Sequence, residues 1–358
     1  MMRKGMNRHA FLRWAGTATT FPMLARSFFT EQRPSRGVKI LPRALRRGDT
    51  LGLVSPAGRV YDEQVYRDME SSLSEMGFRF RYGGHAKNAY GYLAGTDEER
   101  AKDVNEFFSD PGIDGILCIR GGWGCNRILP FLDFDRIARN PKFLGGYSDI
   151  TALHLSIYSQ TGLPTFHGPN GTSDWTPFTR RSFQRMVMGI DTVGPLPPEN
   201  YNRSTLQTLT PGCAEGILIG GNLSLICSLI GTPYFPDLSG AILFVEDIGE
   251  DVYRVDRMLS QLALSGQLKG LSGFVFGTCT DCRATGRASL SLQQVLLDYF
   301  SEQTYPACFG LPFGHVSDNM TLPVGVQARL NADKGQITIE EHVFSDQYPE
   351  SSEENSSS

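Results

Sequence analysis

The run Leu144-Gly145-Gly146-Tyr147-Ser148-Asp149-Ile150-Thr151 leads an apolar, strand-like approach through two glycines to a serine. A helix-like segment (Ile150, Leu153, Leu155, Ile157) starts directly after it. A serine on such a strand-to-helix turn is pushed out of the backbone, beside helix N-terminal N–H groups that suit an oxyanion. That is the placement of an activated nucleophile. A serine hydroxyl is weak at neutral pH, so it needs a base, and the base needs an orienting acid. Six histidines are available. His9 lies in the basic N-terminal segment. His154 lies inside the helix after the serine, where packing is its expected role, and His85 and His342 lie in polar contexts without a turn signature. His167 ends a strand in Phe166-His167-Gly168-Pro169 and could line a cleft; His315 sits on the glycine-supported loop Phe313-Gly314-His315-Val316-Ser317-Asp318-Asn319. On position alone either can be the base, and a site without a histidine base also stays open.

For the acid, Ile242-Leu243-Phe244-Val245-Glu246-Asp247-Ile248-Gly249-Glu250 places carboxylates directly after a buried strand. Glu246 and Asp247 point to opposite sides if the strand geometry continues. One could face a cleft while the other caps the helix that follows near Glu250; equally, all three could simply favour a helix N-terminus. Arg120-Gly121-Gly122-Trp123-Gly124 is a glycine-rich turn whose backbone can approach a ligand and offer N–H donors. It lacks the spacing of a dinucleotide or P-loop fingerprint, and the alternative is an ordinary tight turn.

These residues need elements to hold them. A short apolar strand at 50–54 precedes Ser55-Pro56-Ala57-Gly58. A helix with Val65, Met69, Leu73 and Met76 on one face stops at Gly77, and 78–82 reads as a second strand. Thr96-Asp97-Glu98-Glu99 is a capping box opening a helix with Val104, Phe107 and Phe108 inside. A buried strand at 115–119, a short helix at 125–132, a strand at 143–146 and a helix to about 161 follow. Strands alternating with helices predict a parallel sheet covered on both faces, with ligands outside the carboxyl ends of its strands. Ser55, the turn 120–124 and Ser148 should gather on that rim. The fold class is therefore α/β: a Rossmann- or flavodoxin-like parallel-sheet domain at 36–169, then a Pro-punctuated linker at 170–210 with one short helix at 180–188. A smaller mixed α/β domain follows at 211–345, and an acidic, Ser-rich tail at 346–358 is expected to be disordered.

With 358 residues, 40% hydrophobic and 20% charged, the chain can bury a sizeable core without disulfides or a metal. A net charge of -4 leaves no basic surface for nucleic acid, and no apolar run is long enough to span a bilayer. Residues 1–35 hold six cations against Glu31 alone, ahead of a mildly apolar run from Trp14 to Ala25. This predicts an export leader, hence a periplasmic or exported protein, with the cytoplasm as the alternative. Asn7-Arg8-His9-Ala10-Phe11-Leu12-Arg13 resembles the twin-arginine pattern with His9 in place of the second arginine. Cys279-Thr280-Asp281-Cys282 has no second pair to build a zinc site; if the protein is exported a local disulfide is open to it, and the sequence does not show whether the two cysteines pair.

The motifs together resemble the LD-carboxypeptidase family of serine peptidases, which also includes the microcin C self-immunity hydrolases. The matching stretches are GDTLGLVSPAG, AGTDEERAKDVNEFFSDPGIDGILCIRGGWG, GGYSDITALH, GGNLS, FVEDIGEDVYRVDRML and FGHVSDNMTLPVG, in order across 41–330. The resemblance implies a Ser–Glu–His triad of Ser148, Glu246 and His315. It implies an oxyanion hole from the backbone N–H groups of Asp149 and a glycine of the 120–122 turn, Gly121 being favoured over Gly122. It implies a cleft between two domains, with the serine on the first and the acid and histidine on the second. The implied activity is removal of terminal D-alanine from a murein tetrapeptide, after the L-centre of meso-diaminopimelate or lysine, within cell-wall recycling. No metal or cofactor is implied. Ile150, not glycine, lies two places after the serine, so this is not the G-x-S-x-G elbow. Arg120, Trp123 and His167 are candidate substrate contacts. Hydrolysis of a peptidyl-nucleotide toxin and muropeptide binding without chemistry are the competing expectations, and a homodimer is allowed.

Overall fold

The computed structural model describes residues 40–190, 194–198, 201–284 and 288–345. The leader and the tail expected from the sequence lie outside the described residues. From Thr50 onward, β1 (Thr50–Val54), α1 (Glu63–Glu75), β2 (Arg79–Tyr82), α2 (Asp97–Ser109) and β3 (Gly115–Cys118) follow one another. Next come α3 (Cys125–Ile128), α4 (Phe134–Arg139), β4 (Phe143–Gly146), α5 (Thr151–Thr161) and β5 (Thr165–His167). Local sequence explains the boundaries. Thr96 and Glu99 make the reciprocal capping box at the start of α2, and Gly162 ends α5 in the left-handed conformation. The four residues of β3 and of β4 are all buried, which is why both read as uninterrupted apolar or glycine runs.

The five strands pair in parallel in the order β2-β1-β3-β4-β5. This is a doubly wound order whose direction reverses between β1 and β3, where such sheets open a crevice for ligands. The loops after β1, β3 and β4 all end on that side. The remaining elements are α6 (Pro177–Val187), β6 (Gly194–Leu196), β7 (Gln207–Thr210), β8 (Cys213–Asn222), α7 (Leu223–Leu229), β9 (Ala241–Ile248) and α8 (Val252–Leu264). They continue with β10 (Gly273–Thr280), α9 (Leu292–Phe300), β11 (Ala307–Phe309), β12 (Leu322–Val324), β13 (Val326–Asn331) and β14 (Gln336–Ile339). Eight of the strands form the second sheet, ordered β6-β14-β13-β8-β9-β10-β11-β7, with a parallel centre (β8 to β11) and antiparallel flanks. The α/β class with a parallel-dominated first sheet and a mixed second sheet is as expected.

Two expectations are corrected. The 170–210 stretch is more than a linker with one helix: besides α6 it supplies β6 and β7, the two edges of the second sheet. Both are short and β6 carries Pro195, which an edge strand tolerates and which hides it from pattern reading. The late part of the chain also does not stay in the second unit. β12 returns to the first sheet and pairs antiparallel with β5, Leu322 opposite His167. Cys279 and Cys282 form a disulfide at the end of β10, with Cα atoms 5.4 Å apart.

Candidate active site

Ser148 stands at the end of β4 with φ +66°, a left-handed conformation that a residue with a side chain adopts only at a cost of about 1–3 kcal/mol. The strain turns the hydroxyl out of the sheet and toward the second unit. There His315 waits: its Nε2 lies 3.1 Å from Ser148 Oγ, and its Nδ1 lies 2.7 Å from Glu246 Oε2. With the proton on Nδ1, the imidazole donates to the carboxylate and accepts the serine O–H through Nε2. Ser148, Glu246 and His315, distant in sequence, are thus in one hydrogen-bonded line. Such a line can take a proton from the hydroxyl as it attacks a carbonyl and return it to a leaving group.

Each member is held from behind. Glu246 is the sixth residue of β9, which runs three residues further than the apolar stretch suggested, and it is fully buried. Burial alone would push its carboxyl up; the imidazoles of His167 and His315 outweigh this and bring it down to about 2. Gly314 lets the His315 loop close over the acid: it has φ +96°, and a Cβ there would lie 2.5 Å from Glu246 Cγ. On the other side of the loop, Thr280 Oγ1 donates to the His315 carbonyl at 2.6 Å, from the turn that the Cys279–Cys282 disulfide closes. Sequence reading missed this support because Thr280 carries no signal apart from its place between two cysteines.

Asp247 does point away from Glu246, but it does not serve the helix near Glu250. Its carboxylate accepts from the N–H (3.0 Å) and the hydroxyl (2.6 Å) of Ser224 and from Asn222 Nδ2 (3.1 Å), and so anchors the first turn of α7. The β9–β8 register puts Asn222 beside Glu246, and the Asn222 N–H donates to Thr151 Oγ1 at the start of α5 (2.9 Å). That bond ties the nucleophile's helix to the acid's sheet.

The 120–124 turn lies directly against the serine. A Cβ on Gly121 would stand 2.8 Å from Ser148 Cβ and 3.1 Å from its Oγ, so only glycine fits without displacing the nucleophile. The Gly121 carbonyl accepts from the Gly58 N–H (3.1 Å), which binds the turn after β3 to the one after β1. Asp149 acts here through its side chain: its buried carboxylate accepts from the Cys125 N–H (2.7 Å) and so locks the glycine turn to the serine turn. Burial raises the Asp149 carboxyl, with the Cys125 contact opposing.

The candidate substrate contacts separate. Arg120 is half-buried and donates from Nη1 to the Arg59 carbonyl (3.0 Å). Trp123 is 56% exposed, edge-on to Tyr92 with ring centres 5.7 Å apart. His167 is corrected: it is completely buried behind Glu246, enclosed by Tyr147, Phe244 and Phe313, and cannot touch a ligand in the cleft. His154 is a core residue as expected, with Nε2 2.8 Å from the Gly146 carbonyl; burial drives its pKa down to about 3. Among the described residues no cluster of His, Cys, Asp and Glu could hold a metal ion, and no helix is long and apolar enough to cross a membrane.

Residues 51–168 match the LD-carboxypeptidase N-terminal domain and residues 215–330 the LD-carboxypeptidase C-terminal domain. A probable murein peptide carboxypeptidase of Bacillus subtilis is 40% identical over 308 residues, covering 84% of this chain and 95% of that protein. The crystal structure of a muramoyltetrapeptide carboxypeptidase from Oxalobacter formigenes superposes with a TM-score of 0.72 at 31% identity, over 82% of this chain and 99% of that one. MccF in complex with glutamyl sulfamoyl guanosine superposes with a TM-score of 0.79 at 29% identity, over 86% of this chain and all of that one.

Proposed function

The chain belongs to the LD-carboxypeptidase family, and from that footing we propose that it is a serine carboxypeptidase releasing the terminal D-alanine of murein tetrapeptides. The observation that carries the reading is the line from Ser148 Oγ through the His315 imidazole to Glu246, with spacings of 3.1 and 2.7 Å. Ser148 Oγ attacks the carbonyl of the diamino acid while His315 Nε2 takes the hydroxyl proton. Glu246 holds the Nδ1–H tautomer and stabilises the imidazolium. The developing oxyanion lies between the backbone N–H groups of Asp149 and Gly121, where loss of one donor typically costs about 3–4 kcal/mol of barrier. His315 then returns the proton to the D-alanine amine, the C–N bond breaks, and water repeats the sequence on the acyl-enzyme. The terminal carboxylate of the substrate requires a cation, and Arg120 at the rim of the glycine turn is our choice. The kinship of the B. subtilis and O. formigenes proteins supports murein as substrate.

The test is to incubate the purified chain with tetrapeptide and tripeptide stems, carrying either meso-diaminopimelate or lysine, and follow the products by mass. Release of D-alanine from the tetrapeptide alone is expected; an intact tetrapeptide refutes the assignment. The fit to MccF, crystallised with an acyl sulfamoyl nucleoside, favours a second reading in which the acyl group is carried by a nucleotide. Turnover of such a compound and not of the stem peptide would select it. We propose export as well, on the basic start and apolar run of residues 1–35; mature protein that retains those residues would return the enzyme to the cytoplasm.

A further inference from the structure

His167 has an unusual place. It is the last residue of β5, fully buried, and neither of its ring nitrogens has a hydrogen-bond partner among the described residues. Glu246 Oε1 has none either. These orphaned groups face one another: His167 Nε2 lies 3.8 Å from Oε1, while the other carboxylate oxygen is held by His315. A buried polar atom left unpaired gives up its hydration with nothing in return, and the loss is greater when one of the pair is ionised. Closing the gap to hydrogen-bond length takes a movement of about 1 Å, which a side-chain torsion supplies.

We propose that His167 is a positioning residue for the relay, donating its Nε2 proton to Oε1 so that the Glu246 carboxylate is clasped between two imidazoles. The inference rests on the Ser–His–Glu reading but not on the identity of the substrate. Two donors fix the plane of the carboxylate and aim Oε2 at His315 Nδ1. A donor on Oε1 also draws negative charge away from Oε2 and limits how tightly the carboxylate holds the His315 proton. Few other charges can act there. β9 presents Glu246 itself, α5 presents His154 with ring centres 6.4 Å apart, and the serine turn presents Tyr147 at 6.1 Å. The 313–321 loop presents Phe313, with His315 on the far side of Glu246, and β12 presents Leu322.

The experiment measures the rate at which a fluorophosphonate modifies Ser148 across pH 5–9 in the full chain, in the wild type, His167→Phe and His167→Gln. This reads serine activation whatever the natural substrate is, so failure to release D-alanine and failure of the His167 assignment are told apart. In His167→Phe the uncompensated carboxylate should hold the His315 proton more tightly. The acid limb should move to higher pH by about one unit, with labelling below it about tenfold slower. Glutamine, which places an N–H donor where Nε2 was, should recover most of both. If a tetrapeptide is turned over, kcat should fall in His167→Phe and KM should not, since His167 meets no ligand. An unmoved pH profile in the phenylalanine variant, or equal damage in both variants, overturns the proposal. Should His167→Phe not fold, 15N-histidine spectra of the wild type decide: a proton on His167 Nε2 supports the clasp, and one on Nδ1 alone overturns it.

Discussion

Gly121→Ala tests the apposition of the glycine turn and the nucleophile with one methyl group. Gly121 has no left-handed φ, so alanine is compatible with the backbone, and the whole perturbation is steric. The new Cβ would sit 2.8 Å from Ser148 Cβ, 3.1 Å from Oγ and 3.2 Å from the Tyr147 carbonyl. Carbon atoms pack at about 3.5–4.0 Å, so turn and serine must part by about 0.8 Å. Neither side yields freely. The turn is tied to Gly58, and through Cys125 to the Asp149 carboxylate; Ser148 already occupies a strained conformation. A misplacement of about 1 Å at a reacting group costs on the order of a hundredfold in rate, or about 2.7 kcal/mol of barrier. Initial rates of D-alanine release, with fluorophosphonate labelling in parallel, should therefore fall about 50- to 100-fold in kcat, with a small change in melting temperature. An alanine variant within threefold of wild type would refute the argument that this turn abuts the serine and holds the oxyanion.

Four further perturbations test the same geometry. Ser148→Ala should abolish turnover and labelling while thermal unfolding and peptide binding stay near wild type; retained turnover would remove Ser148 from the chemistry. Glu246→Gln should cut kcat by about 10³–10⁴-fold through the wrong imidazole tautomer. It should also change acid stability: the wild-type carboxyl is held at about 2, below its ordinary 4.5, so its contribution is present above 4.5 and lost as the pH falls from 4.5 to 2. Urea unfolding at stepped pH should show that slope flattened in the glutamine variant. Thr280→Val removes the donor to the His315 carbonyl, and kcat should fall severalfold, a loss of about 1 kcal/mol, at unchanged KM. Reducing the Cys279–Cys282 disulfide should move kcat the same way, and equal rates for reduced and oxidised enzyme would show that the turn stands without it.

The parts of this molecule written in local pattern were legible in its sequence. β4 and the serine turn show as an apolar run ending in two glycines, and the capping box of α2 stands where Thr96 and Glu99 predict it. Parts defined by distant partners were not. β6 and β12 are three-residue strands, each with a proline, and become strands only because β14 and β5 supply the pairing. β9 reads as ending at Val245 because charge follows, yet Glu246 and Asp247 continue the strand, Glu246 Oε2 held by His315 and the Asp247 carboxylate by Ser224 and Asn222. On position alone His167 and His315 stay open as bases for a similar reason. Each lies beside a glycine, His167 at the end of β5 and His315 on a loop, and the packing of the two sheets shows that His315 reaches the hydroxyl while His167 lies behind the acid.

The crossing of β12 into the first sheet bears on how such a protein can be rearranged. A cut near residue 210 would strip β5 of its antiparallel neighbour and leave the ribbon bearing His167 with a bare edge, inviting pairing with a foreign strand. Exchanging the later half with that of a relative imports a new β12 as well, and this graft must match the recipient's β5 side chain by side chain. Recombination should therefore succeed as whole-chain replacement or as substitution of surface loops, and seldom as a trade of halves.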